Sequence, residues 1–228
     1  MFNTPQKLAA EFLGTFALVF FAVGADCANQ LLHGSGSGLL GEALAAGFAV
    51  AILYTALAHI SGGHFNPAVT IGFWVTKRIN TLEVLGYWIA QLLGAIAAIW
   101  VLHWIIPDDP WRTSLGGTPQ MVSDFTRLPA MGLEAIITFF LVLVFFAGVS
   151  DENRTARPYL GWAIGAVYTL GILVAGPFTG GALNPARAFG PALVTSHWNS
   201  QGIYWVGPLA GGFLAGLIYD SLFNKKTV

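Results

Sequence analysis

The sequence predicts an all-α integral membrane protein of six transmembrane helices and two re-entrant half-helices, arranged as an inverted internal repeat. Three observations carry that expectation. Apolar residues make up 55% of the 228-residue chain, only 9% are charged, and mean hydropathy is +0.67, a balance outside that of ordinary soluble domains. Six stretches are long and apolar enough to cross a bilayer. The tripeptide Asn-Pro-Ala occurs twice, at Asn66-Pro67-Ala68 and Asn184-Pro185-Ala186, each time opening an apolar segment too short to span.

A crossing takes about 20 mostly apolar helical residues, which places the spans at 8–32, 39–60, 82–106, 128–149, 158–175 and 203–223. The first run is long enough to span, and no cleavable signal peptide is evident. The Asn-Pro-Ala segments fall between the second and third spans and between the fifth and sixth. Asn is a strong N-cap, and Pro is at ease at the first helical position because it needs no amide hydrogen there. Each copy therefore starts a half-length helix, about Pro67–Val75 and about Pro185–Thr195. A helix N-terminus carries positive partial charge and unpaired N–H donors. Two such ends inside a membrane protein are costly unless they line something polar, so they point to a lumen.

Lys and Arg mark the cytoplasmic side. Lys7, Lys77, Arg78, Arg154, Arg157, Lys225 and Lys226 fall on one side of a six-span path, Arg112 and Arg127 on the other. Both termini are thus expected in the cytoplasm, in a multi-pass protein of the plasma (inner) membrane. Three landmarks then repeat in the same order: Glu11-x-x-x-Thr15-Phe16 with Glu134-x-x-x-Thr138-Phe139, Gly62-Gly63 with Gly180-Gly181 ahead of each Asn-Pro-Ala, and Tyr87-Trp88 with Tyr204-Trp205. With three spans per half, the second half is inverted, and inverted repeats place their sites near the midplane. The expected organisation is one transmembrane domain, 1–228, with repeats at about 1–106 and 128–228 joined by an extracellular loop, 107–127. Small-residue pairs such as Gly161/Gly165, Gly207/Gly211 and Gly212/Gly216 fit close packing between spans of one bundle.

Composition narrows function further. Net charge −1 gives no basic footprint for nucleic acid. The lone Cys27 forms no intrachain disulfide, no cysteine or histidine pattern suggests a metal or another cofactor, and no nucleophile–base pair supports an enzyme. Glu11 and Glu134 lie within spans, where an ionisable group is a functional candidate by default. Here they are read as anchors that accept hydrogen bonds from the re-entrant backbone, ahead of a proton relay. His59 and His64 are expected to line or brace the cytoplasmic approach, with a hydrogen-bonded packing histidine as the alternative for His64.

The string His59-Ile60-Ser61-Gly62-Gly63-His64-Phe65-Asn66-Pro67-Ala68-Val69-Thr70 and the later Asn184-Pro185-Ala186-Arg187 resemble the aquaporin (major intrinsic protein) superfamily, and the likeness covers essentially the whole chain. The resemblance implies a bundle of six tilted spans, half-helices meeting head to head at the pore centre, and a homotetramer with one channel per protomer. It implies a passive channel for water and small uncharged solutes that excludes ions and protons. Asn66 and Asn184 would present amides to the solute, and the backbone of 60–65 and 178–183 would form a polar ladder.

Counting from the motifs, the family's outer constriction falls on Ala46, Ile172, Gly181 and Arg187. Ala46 and Ile172 stand where water-selective members carry an aromatic and a histidine, which suggests a wider filter. The set most resembles nodulin-like intrinsic proteins that pass boric and arsenous acid, in a compact chain of prokaryotic type; glycerol and urea belong to the same solute class. A strictly water-selective aquaporin is the alternative, with an inverted-repeat secondary transporter behind it. Glu42, one helical turn from Ala46, is expected either to pair with Arg187 or to charge the outer vestibule.

Overall fold

A computed structural model describes residues 2–33, 35–149 and 157–223. Arg154, Lys225 and Lys226 lie outside the described residues, as does the side chain of Arg157. Among the described residues, six long helices are apolar enough to cross a membrane: α1 (Thr4–Leu31), α2 (Gly38–Ser61), α4 (Thr81–Ile105), α6 (Arg127–Val149), α7 (Arg157–Thr179) and α9 (Gln201–Leu222). The half-helices are α3 (Pro67–Val75) and α8 (Pro185–Thr195), with the bounds their Asn caps and first-turn prolines dictate.

At about 1.5 Å per residue, their nine and eleven residues reach about 14 and 16 Å. End to end they match the ~30 Å hydrocarbon core.

Three boundaries differ from the apolar count. α1 begins at Thr4 because Asn3 and Gln6 form a reciprocal capping box, with a proline in the first turn. α7 runs on through Pro177 to Thr179, so both non-helical approaches are shorter than expected: α2 ends at Ser61, and only residues 62–65 and 180–183 precede the Asn caps. The stretch 107–127 holds a short helix, α5 (Asp108–Thr113), and a 3₁₀ turn at Leu115–Gly117. Pro107 before two first-turn aspartates favours a helix start, in a segment too short to show periodicity.

Six crossings return the chain to the face on which it began. That terminal face carries Lys7, which pairs with Glu83 (2.8 Å), and Arg78, which approaches Asp220 (3.4 Å). Arg112 and Arg127 belong to the far face.

The two halves pack alike. α4 lies on α1 and α9 on α6, and the matched Gly94 and Gly211 sit at these crossings. A Cβ at Gly94 would run into the Phe12 carbonyl, and one at Gly211 into that of Ala135.

Each half-helix leans chiefly on the opposite half, α3 on α9 and α8 on α4. Gly212 and Gly216 admit the carbonyls of Ala68 and Gly72 on α3, while Gly161 and Gly165 admit those of Ala51 and Gly47 on α2. The small-residue pairs are therefore spent inside one chain. Large apolar side chains such as Phe21, Phe48, Ile89, Phe140, Leu170 and Val206 are exposed around the bundle, as a lipid-facing surface requires.

Candidate functional site

The re-entrant segments are held by the two span carboxylates. Glu11 is fully buried. Its Oε1 accepts from the Ser61 hydroxyl (2.6 Å) and the His64 N–H (3.0 Å), and its Oε2 from the Phe65 N–H (2.6 Å) and the Gln91 amide (2.8 Å). Glu134, equally buried, repeats the pattern: Thr179 hydroxyl (2.6 Å) and Ala182 N–H (3.0 Å) on Oε1, Leu183 N–H (2.9 Å) on Oε2.

These contacts hold Phe65 (φ 50°) and Leu183 (φ 53°) in the left-handed region. Such a conformation costs a non-glycine residue about 1–3 kcal/mol. Tyr87 and Tyr204 close each turn by donating to the carbonyls of Ser61 (2.6 Å) and Thr179 (2.8 Å).

Left-handed Phe65 and Leu183 aim the caps at each other. Asn66 Oδ1 accepts the Ala68 N–H (2.8 Å) and Asn184 Oδ1 the Ala186 N–H (2.9 Å). The amide nitrogens then cross the midplane: Asn66 Nδ2 donates to the Leu183 carbonyl and Asn184 Nδ2 to the Phe65 carbonyl, both at 2.9 Å.

Each amide keeps one further N–H. Pro67, Ala68, Pro185 and Ala186 are buried in the first turns. The head-to-head junction is thus a reciprocal clasp between halves that also carries two spare donors.

Three spaces are associated with this passage. A far-face vestibule of about 250 Å³ is lined by Asp26, Glu42, Ile172, Gly180 and Arg187 together with the 107–127 segment. The centre, bounded by His64, Asn66 and Asn184 among apolar side chains, has room for about 10 Å³, close to the least that holds one water. A terminal-face vestibule of about 430 Å³ includes His59 and Gly62.

His59 is exposed with the Phe2 ring edge-on to it at 5.6 Å, while His64 is buried. Among the described residues, no group of three or more His, Cys, Asp or Glu side chains is placed to hold a metal.

Of the four counted filter positions, Ile172 and Arg187 reach the far vestibule. Arg187 is fixed there by donating from Nη1 to the Gly117 carbonyl (2.7 Å). Gly181 (φ 58°) faces Ile172, whose Cα would stand 3.0 Å from an added Cβ. Ala46 is fully buried and shows no surface to the vestibule.

Glu42 lines the vestibule, but its Oε1 accepts from Asn29 (2.7 Å), and no carboxylate among the described residues lies within 4.0 Å of Arg187. Cys27 is buried, 3.3 Å from the Ser114 hydroxyl.

Sequence reasoning missed Ser61, Thr179, Gln91, Tyr168 and Gly117. The first two were legible as matched hydroxyl residues one place before each Gly-Gly pair. Tyr168 donates to the Ala182 carbonyl (3.0 Å), and the Gly117 carbonyl accepts from Arg187; both contacts use a backbone carbonyl and left no local signal.

Six spans, two half-helices clasped at the midplane and a narrow centre between two vestibules define a polytopic membrane protein. A family model described as Major intrinsic protein matches residues 2–219. Aquaporin TIP2-3 of Zea mays is 40% identical, over 96% of this chain and 88% of its own. Probable aquaporin TIP1-1 of Oryza sativa subsp. japonica is 42% identical, over 96% and 87%. Among solved structures, the aquaglyceroporin from Plasmodium falciparum superposes with a TM-score of 0.80 at 26% identity, covering 96% of this chain and 97% of that one.

The chain belongs to the major intrinsic protein (aquaporin) family. It is a membrane-embedded channel and not an enzyme. These relatives lend no support to a nodulin-like filter or to a prokaryotic origin.

Proposed function

We propose that the chain conducts water and small uncharged solutes, of the class of glycerol, urea and boric or arsenous acid, passively and with exclusion of ions and protons. The observation that carries this is the clasped junction of Asn66 and Asn184. Its spare N–H donors suit a solute oxygen, and two positive half-helix ends oppose a cation at the narrowest point. Arg187 adds a fixed positive charge and donors in the far vestibule. Ala46, Ile172, Gly181 and Arg187 are the filter of this proposal, with His59, His64 and Glu42 along the approaches.

The proposal includes cytoplasmic termini, a reading supported by Lys7, Lys77 and Arg78 on the terminal face. A plasma (inner) membrane location and a homotetramer of single-pore protomers belong to the same proposal. A strictly water-selective pore is the second reading, favoured by the fully buried Ala46 and the ~10 Å³ centre.

Stopped-flow light scattering on proteoliposomes, comparing water, glycerol and boric acid in one preparation, tests both. Glycerol or boric acid flux above that of empty liposomes supports the broad pore. Fast water flux alone establishes the narrow one, and flux that requires an ion gradient overturns both in favour of a transporter.

A further inference from the structure

We propose that Gln91 is a positioning residue for the pore histidine: acting through Thr70, it holds His64 with its proton on Nδ1, so that Nε2 meets passing solute as a hydrogen-bond acceptor. The starting point is the donor count at Glu11. A carboxylate only accepts, and the Ser61 hydroxyl and the His64 and Phe65 N–H groups already donate to it. The Gln91 side chain must therefore turn its NH2 end toward Glu11, and Nε2 lies 2.8 Å from Oε2.

The second hydrogen of that NH2 reaches Thr70 Oγ1 at 3.1 Å. Gln91 is fully buried, and its Oε1 has no partner among the described residues. The amide leaves its own acceptor orphaned because turning over would set oxygen against the Glu11 carboxylate. That orphan marks an orientation imposed from outside the residue.

The consequence passes to Thr70, which is also fully buried. A hydroxyl has one hydrogen and two acceptor sites. The hydrogen finds the Asn66 carbonyl at 3.1 Å, and Gln91 fills one acceptor site. His64 Nδ1 stands 3.1 Å from the same oxygen. All three contacts are satisfied together when Nδ1–H donates into the second site.

A neutral imidazole has one proton, so Nε2 is then a bare lone pair. The ring is packed against Phe73 and Tyr87, with centroids 4.5 and 5.3 Å away. Its small exposed fraction, 5%, belongs to the constriction it lines. Nε2 points toward Gly62, where an added Cβ would stand 3.3 Å from it.

Solute at the throat thus finds two kinds of partner within one step, N–H donors from the Asn pair and an acceptor from His64. A solute with hydroxyl or amine hydrogens beside its acceptor atom matches both. The second half has no such relay, because Ala182, Ala188 and Pro208 occupy the positions matched to His64, Thr70 and Gln91.

The solute's part in this rests on the channel reading above. The tautomer does not, and it is measured without reference to flux. The full-length chain in lipid bilayers, labelled with ¹⁵N-histidine and ¹³C-carbonyl glycine, isolates His64 through Gly63–His64, the one Gly-His step in the sequence. Ring ¹⁵N shifts then report the site of protonation.

Protonated Nδ1 with bare Nε2 is the expected result, and a proton on Nε2 overturns the proposal. Gln91→Met is expected to move the population toward Nε2–H, and an unchanged tautomer removes Gln91 from the relay. Should that variant fail to assemble, Thr70→Val is expected to lose the Nδ1–H preference and Thr70→Ser to retain it. Equal tautomers in these two variants also overturn the proposal.

Discussion

The two re-entrant loops are built to one plan but closed by different means. The first is closed within its own half: Glu11 takes four donors, one of them from Gln91, and the Gln91–Thr70–His64 chain fills the space behind the loop. At the second loop, Glu134 takes three donors, and Pro208 stands where Gln91 would be matched. That loop draws instead on its own α7, where Tyr168 binds the Ala182 carbonyl, and on the 107–127 segment outside the repeat, where Gly117 fixes Arg187. One loop is thus stiffened by a buried side-chain network. The other is tuned by a segment lying over the far face, where the candidate filter sits.

The sharpest way to break this contrast is to weaken each anchor by one atom. Glu11→Gln replaces an acceptor oxygen with a donor among four inward donors, each stranded group costing about 1–3 kcal/mol. The expected loss is about 3 kcal/mol or more, read as a lower thermal unfolding midpoint of the detergent-solubilised chain. Glu134→Gln should cost less, having one donor fewer. Equal losses would show that the Gln91 contact adds nothing to the first anchor.

Gly117→Ala tests the second loop's dependence on its neighbour. Gly117 has φ 72°, and an added Cβ would stand 2.5 Å from Val23 Cγ1. The turn must shift, and Arg187 loses a charge-assisted hydrogen bond of about 1.5–3 kcal/mol. The expected outcome is a changed ratio of glycerol to water flux in proteoliposomes. An unchanged ratio would mean that Arg187 holds its place without Gly117.

Tyr87→Phe and Tyr204→Phe probe where the halves should agree. Each deletes one matched hydroxyl-to-carbonyl bond, so each is expected to cost about 1 kcal/mol, with like shifts in the unfolding midpoint. Unequal shifts would extend the asymmetry to the part of the plan that looks shared.

The smallest effect belongs to Lys7→Met. It removes the Lys7–Glu83 pair, whose partners are 28% and 27% exposed and which has no counterpart at Ala130 and Ser200 in the second half. The expected loss is at most about 1 kcal/mol, shrinking as salt rises.

Much of this was legible before any coordinates. The six spans, both half-helices and the duplication follow from apolar run length and from Asn-Pro starts, which are local properties. Glu11 and Glu134 were readable as anchors because a carboxylate inside a span needs donors, and a re-entrant loop supplies unpaired N–H groups. Two expectations changed in detail. The approaches are shorter, since α7 tolerates Pro177, and of the two roles open to Glu42 it lines the vestibule, held by Asn29, without pairing with Arg187. Ala46, reached by counting, stands at a position the structure buries, so the width of the filter depends on packing that no residue count contains.

By itself the sequence determined where helices start, which of them cross, and that a carboxylate sits in the first span of each half. Run length, capping and charge act over a few residues and need no partner. Only the tertiary structure decided the left-handed turns at Phe65 and Leu183, the exchange of amides across the midplane, and the hold of Gly117 on Arg187. Each of these joins atoms far apart in the chain, often through a backbone carbonyl that every residue possesses and none advertises.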